Sequence, residues 1–100
     1  MDGQTGTTLL RRYTIKGDEW DAFLEIWRQI VAVRKRHGFQ VLFALIDRKE
    51  NMFTWAIHHP GDIEEAAEIY YKDPERVELE IVERYVTDWN VATVTQEAIP

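Results

Sequence analysis

The chain has 100 residues, 45% of them hydrophobic and 30% charged, a globular composition with length for one core and little to spare. It contains no cysteine, which excludes disulfides, thiol nucleophiles and thiolate metal sites and fits a reducing cytoplasm. The net charge of −6 is uneven: residues 1–61 carry nine Lys and Arg against seven Asp and Glu, residues 62–100 three against eleven, which argues against a nucleic-acid partner.

Residues 1–8 are rich in Gly and Thr, lack periodicity and read as a flexible tail, with neither the basic nor the apolar region of a secretory signal. No apolar run approaches the roughly 20 residues of a membrane span, so a cytoplasmic protein without a membrane partner is expected. Leu9–Ile15 is the first expected strand. Lys16-Gly17 ends it, and Asp18 is placed to cap a helix over Glu19–His37. There Trp20, Phe23, Leu24, Trp27, Ile30 and Val31 recur at helical spacing. Acidic residues crowd the start of this helix and Arg34, Lys35, Arg36 and His37 its end, which complements the helix dipole. Gly38 stands at the C′ position.

Phe39–Asp47 and Met52–His59 read as the two strands of a hairpin, apolar on both faces of the first strand. Pro60-Gly61 ends the hairpin, and Asp62 opens a helix whose buried stripe is Ile63, Ala66, Ala67 and Tyr70. Asp73-Pro74 stops that helix near Lys72 and starts another. Residues 75–85 fit both a helical reading (Val77, Ile81, Tyr85) and a strand reading (Val77, Leu79, Ile81); a short helix is expected over the first part. Asn90–Ala98 is β-branched enough for a last strand.

The order β-α-β-β-α-β is the ferredoxin-like arrangement of an α+β fold: an antiparallel four-stranded sheet with helices on one face. Parity splits the strand residues. The larger odd positions, Leu9, Tyr13, Ile15, Phe39, Val41, Phe43, Leu45, Phe53, Trp55 and Ile57, are assigned to the helix-covered face, with Arg11 out of place among them. The even positions, Arg12, Thr14, Leu42, Ala44, Ile46, Thr54, Ala56 and His58 with Ala92 and Val94, mix small, apolar and polar groups like a cavity wall. Two such faces meeting across a two-fold axis predict a homodimer with a ligand cavity between the sheets.

Several segments carry a resemblance. Leu10-Arg-Arg-Tyr-Thr-Ile-Lys16, His37-Gly-Phe39, Phe53-Thr-Trp55 and Tyr70-Tyr-Lys-Asp-Pro-Glu-Arg76 together resemble a bacterial NIPSNAP-type protein, over most of residues 9–98. The resemblance implies a dimeric α+β barrel related to small antibiotic-biosynthesis-type monooxygenases. It carries no catalytic signature. Related barrels include haem-degrading enzymes, which keeps haem among the conceivable cofactors, yet their functional residues do not match this chain position by position.

The candidate binding residues are Arg12, Thr14, Thr54, His58 and Tyr71. Arginine's planar fork suits a carboxylate or enolate, set against the plainer reading of Arg11 and Arg12 as groups reaching solvent or an acidic neighbour. His58 and His59 point to opposite faces of a strand and so cannot share a metal, and a strand-end surface position explains both. Tyr71 lies off its helix's apolar stripe, free to face a ligand or a partner chain. The tryptophans suit core or an aromatic-lined pocket, and the glutamates of residues 64–83 read as a solvated acidic surface. No nucleotide-loop, nucleophile-elbow or zinc-protease motif occurs. Three functions fit: binding of a small apolar or aromatic metabolite, an oxygenase or isomerase in the same cavity, or a protein-interaction module.

Overall fold

The structure is a computed structural model that describes residues 6–100; residues 1–5 of the expected tail lie outside the described residues. Thr7 and Thr8, read as the end of that tail, already belong to the first strand. In chain order the elements are β1 (Thr7–Ile15), α1 (Trp20–Arg36), β2 (Gln40–Asp47), β3 (Met52–His59), α2 (Ile63–Lys72), α3 (Pro74–Glu78), a 3₁₀ segment (Leu79–Tyr85) and β4 (Val86–Val94). The sheet is antiparallel with strand order β2-β3-β1-β4, and the helices cover one face: the ferredoxin-like α+β fold. No helix among the described residues is long and apolar enough to cross a membrane.

Local chemistry sets most boundaries. The N-cap of helix α1 is Glu19 rather than Asp18, and it makes no side-chain cap; the Glu19 amide instead donates to the Lys16 carbonyl. Its C-terminus is a Schellman motif. The Phe39 amide donates to the Arg34 carbonyl at 3.1 Å and the Gly38 amide to the Lys35 carbonyl at 3.1 Å, with Gly38 at φ 84°. A β-carbon on Gly38 would stand 3.2 Å from His59 Nε2, so both backbone and space select glycine. Asp62 caps α2 by accepting from the amides of Glu64 and Glu65, and Asp73 caps α3 by accepting from Glu75, with Pro74 following as expected.

Neither reading of residues 75–85 extends through the whole segment. Leu79, Val82 and Tyr85 are spaced three apart, the period of a 3₁₀ turn, and they are the residues turned inward. Val77 and Ile81, on which both the helical and the strand readings relied, are exposed. The last strand begins at Val86, four residues earlier than expected, and ends at Val94.

A bulge in β2 changes which residues share a face. Opposed residues of an antiparallel ladder point to the same side. Val41 pairs with Ile57, but Phe43 pairs with Ala56, because β2 carries an extra residue at Leu42. This bulge reverses parity along the rest of β2. Ala44 and Ile46 therefore share the helix-side face with Trp55 and Phe53, while Phe43 and Leu45 turn to the free face beside Ala56 and Thr54. The other odd positions fall where expected: Leu9, Tyr13, Ile15, Phe39, Val41, Phe53, Trp55 and Ile57 are all in the core or packed on it. A second irregularity, between Thr14 and Ile15, leaves Trp89 opposite Tyr13 and Val91 opposite Arg11, also on the helix side.

The core is aromatic. Phe53 lies 5.0 Å from both Phe23 and Trp27, edge to face, and stacks on Tyr13 at 6.3 Å. The hairpin loop is held to it by Asn51, whose side chain accepts from Trp20 Nε1 at 3.0 Å with its own backbone at φ 57°.

Candidate functional site

The helix-side face carries buried charge. Three arginines point inward beneath the helices: Arg11 from β1, Arg34 from the last turn of α1 and Arg76 from α3. Arg34 is 3% exposed and Arg76 is 9% exposed, figures ordinarily seen for arginine only when a carboxylate pairs with it. Together with Tyr13, Tyr70, Tyr71, Trp27, Trp55 and Trp89 they line a cavity of about 210 Å³ between sheet and helices. Glu83, which is exposed, is the one carboxylate on its wall among the described residues.

The arginines rest on aromatic faces. The Arg34 guanidinium carbon stands 3.9 Å from the Tyr70 ring centre and 4.7 Å from that of Phe39, and Arg76 lies 5.0 Å from Tyr71. Arg34 Nη2 donates to the Tyr71 hydroxyl at 3.2 Å, and Arg11 Nε donates to the Tyr13 hydroxyl at 2.8 Å. Much remains unpaired. Among the described residues Arg34 Nε, Arg76 Nε and Nη1, Trp27 Nε1, Trp55 Nε1 and the Tyr70 hydroxyl are buried without a hydrogen-bond partner. Each such group costs about 1–3 kcal/mol when left so.

The titrations diverge. Burial lowers the Arg34 pKa from its ordinary value. For Tyr71, burial favours the neutral phenol, but Arg34, Arg11 and Arg76 together outweigh it and hold the pKa below its ordinary value. For Tyr70, burial prevails over the attraction of Arg34 and Arg76 and raises the pKa.

The end of α1 explains how these groups meet. Arg34 follows Trp27 by seven residues and Ile30 by four, so it ends the helix's buried stripe. Arg36 and His37 leave that stripe and fasten the helix to the α2–α3 junction: His37 Nε2 lies 2.7 Å from Asp73 Oδ2, and Arg36 reaches Asp73 at 3.2 Å and Glu75 at 3.3 Å. The His37 hydrogen bond and the Glu75 amide hold the Asp73 carboxyl below its ordinary range. This clamp sets Tyr70, Tyr71 and Arg76 against Arg34. The basic cluster thus divides between a clamp and a cavity wall.

Of the residues singled out from the sequence, the structure places Tyr71 in this cavity and the other four on the opposite, free face. Arg12, Thr14 and Thr54 border an open depression of about 610 Å³ with Leu45 and Met52. His58 is buried rather than a surface residue, and its Nδ1 is 2.8 Å from the Thr8 hydroxyl across the ladder. His59 packs on Phe39 at 5.0 Å on the helix side. Sequence reasoning missed Arg34 and Arg76, and it treated Arg11 as a misfit. No group of three or more metal-ligating side chains occurs among the described residues.

The wall carries no histidine, cysteine or methionine, and tyrosine is the one haem-ligating residue type on it. The volume also lies below the roughly 300 Å³ at which drug-sized pockets begin.

Neither a family model nor a curated protein matches the sequence. Solved structures match the fold closely. A NIPSNAP family protein from Agrobacterium tumefaciens superposes with a TM-score of 0.86, at 9% identity, over 100% of this chain and 93% of its own. The chain has the fold of NIPSNAP proteins. An uncharacterized NIPSNAP domain protein from Burkholderia xenovorans gives 0.77 at 14% identity, covering 94% of this chain and 97% of its own. An antibiotic biosynthesis monooxygenase gives 0.67 at 18% identity, covering 94% and 99% respectively. At such identities the likeness is one of fold.

Proposed function

We propose that this chain is a NIPSNAP-type protein that binds a small aromatic anion in the cavity between its sheet and its helices. The observation that carries this reading is the convergence of Arg11, Arg34 and Arg76 on a wall whose one carboxylate is the exposed Glu83. A buried guanidinium needs an anionic partner. Trp27, Trp55 and Tyr13 give the wall aromatic surface, and Arg11, Arg34 and Arg76 bring it positive charge. The volume suits a ligand of about a dozen heavy atoms rather than a drug-sized one.

Cinnamate and cinnamyl alcohol, titrated calorimetrically, test the charge requirement. The acid is expected to bind at least about tenfold more tightly than the alcohol, since a charge-assisted hydrogen bond is roughly twice as strong as a neutral one. Equal binding of the two would sink the reading.

A homodimer is part of the same proposal. Phe43 and Leu45, 44% and 60% exposed on the free face, lie on the side without helices, beside the free-face residues Thr54 and Ala56. Sedimentation equilibrium at micromolar concentration is expected to give twice the 11.9 kDa chain mass. A single species of 11.9 kDa would exclude the dimer.

A further inference from the structure

The anion reading leaves one group in the cavity unexplained. Tyr71 faces Arg34 from α1, Arg11 and Tyr13 from β1, Arg76 from α3 and Tyr70 from its own helix, with Glu83 at the rim. Binding an anion calls for guanidinium groups and ring faces; it does not call for a phenol held among three of them. We propose that Tyr71 is a catalytic base that removes a proton from the carbon next to a carbonyl of the bound ligand, so that the pocket carries out keto–enol proton transfer on small aromatic oxo acids. This proposal rests on the anion-binding reading and adds a reaction to it.

The step is balanced within the site. The C–H bond breaks and its proton goes to the Tyr71 oxygen; the released electron pair forms the C=C bond, and the carbonyl π pair moves onto oxygen as an enolate. Return of the proton to carbon or oxygen completes tautomerisation, with no oxidant or reductant. The enolate charge would develop in a cavity lined by the guanidinium groups of Arg11, Arg34 and Arg76. Such donors are fixed before the reaction and do not reorganise during it.

Two adjacent tyrosines with opposite surroundings support this assignment. The rings of Tyr70 and Tyr71 lie 4.9 Å apart, yet the surrounding charge favours the phenolate of Tyr71, whereas burial keeps Tyr70 a neutral donor. Environments that push two titratable neighbours apart recur in proton-transfer sites, and of this pair only the Tyr71 hydroxyl, bonded to Arg34 at 3.2 Å, belongs to a tyrosine with exposed surface. Tyr71 is itself 40% exposed, so solvent reaches this side of the site; Glu83, also exposed, is the one carboxylate of the wall, and no histidine lines the cavity.

Phenylpyruvate, which has an exchangeable methylene, and phenylglyoxylate, which has none, separate reaction from binding. Deuterium uptake at the phenylpyruvate methylene is followed by NMR in D₂O, and phenylglyoxylate binding by calorimetry. The protein is expected to accelerate exchange at least about 100-fold over buffer, and Tyr71→Phe to lose about 100-fold while binding phenylglyoxylate within about threefold of wild type. The rate is expected to rise with pH and level off below the ordinary phenol range. Tight phenylglyoxylate binding without accelerated exchange, or undiminished exchange by Tyr71→Phe, overturns the proton transfer and leaves the anion site standing. If Tyr71→Phe loses phenylglyoxylate binding too, Tyr71 belongs to the binding wall and the proposal fails. If neither acid binds the wild type, the anion reading fails and the reaction with it.

Discussion

Arg34→Met is expected to stabilise the protein by about 1–2 kcal/mol while weakening cinnamate binding at least about 100-fold. Arg34 is 3% exposed, and its polar contacts amount to one hydrogen bond, to the Tyr71 hydroxyl. Burying an unpaired charge costs several kcal/mol even after relaxation. The faces of Tyr70 and Phe39 return about 1–2 kcal/mol each, and the hydrogen bond about 1 kcal/mol. Repulsion from Arg11 adds to the deficit.

The direction of titration agrees. A base whose folded pKa lies below its ordinary value carries its charge at the fold's expense wherever it is protonated, which includes neutral pH. Methionine keeps much of the volume, and its sulfur packs well on rings. In the complex the sign reverses, because the ligand's anion supplies the missing partner and removal of the guanidinium leaves that anion buried. Urea unfolding with and without cinnamate reads both effects. A less stable Arg34→Met in the absence of ligand would mean that the guanidinium is compensated within the chain, removing the main argument for an anionic ligand.

What could be read from the sequence was mostly local. Gly38, Asp62 and Asp73-Pro74 announce helix ends because a cap depends on a residue and its immediate neighbours. The β2 bulge left no trace for the opposite reason. Val41, Leu42, Phe43, Ala44, Leu45 and Ile46 are apolar without interruption, so a one-residue shift changes every facing and leaves the pattern intact. The 3₁₀ segment was hidden because its three-residue spacing overlaps with both the helical and the strand periods.

The site was partly visible. Arg11 stood out as a charge on the core face, and Arg34 has the spacing of the buried stripe, but it was absorbed into a helix-dipole argument that applies to Arg36 and His37. Arg76 had no comparable signal, since its place depends on how α3 and the 3₁₀ segment turn. The expectation of a cavity on the free face came from reading small and polar side chains as a wall. A second cavity lies on the other face, where large side chains and arginines meet beneath the helices.

Phe53→Ala is expected to cost about 3–5 kcal/mol, a large share of the roughly 5–15 kcal/mol typical of a whole domain. Phe53 is 1% exposed and contacts four aromatic residues, Tyr13, Trp20, Phe23 and Trp27, drawn from β1 and α1. Three of them, Tyr13, Phe23 and Trp27, also line the cavity, although Phe53 itself does not. The residue therefore fixes the floor on which the arginines are held, and the apolar burial there offsets the cost of the charges above. Truncation leaves a hole that rigid rings cannot collapse to fill, whereas Phe53→Leu retains most of the volume and is expected to cost under about 1.5 kcal/mol. Urea unfolding followed by tryptophan fluorescence distinguishes them. A loss below about 1 kcal/mol for Phe53→Ala would show that the rings relax into the gap; the floor would then be too soft to hold a guanidinium in place without an anion.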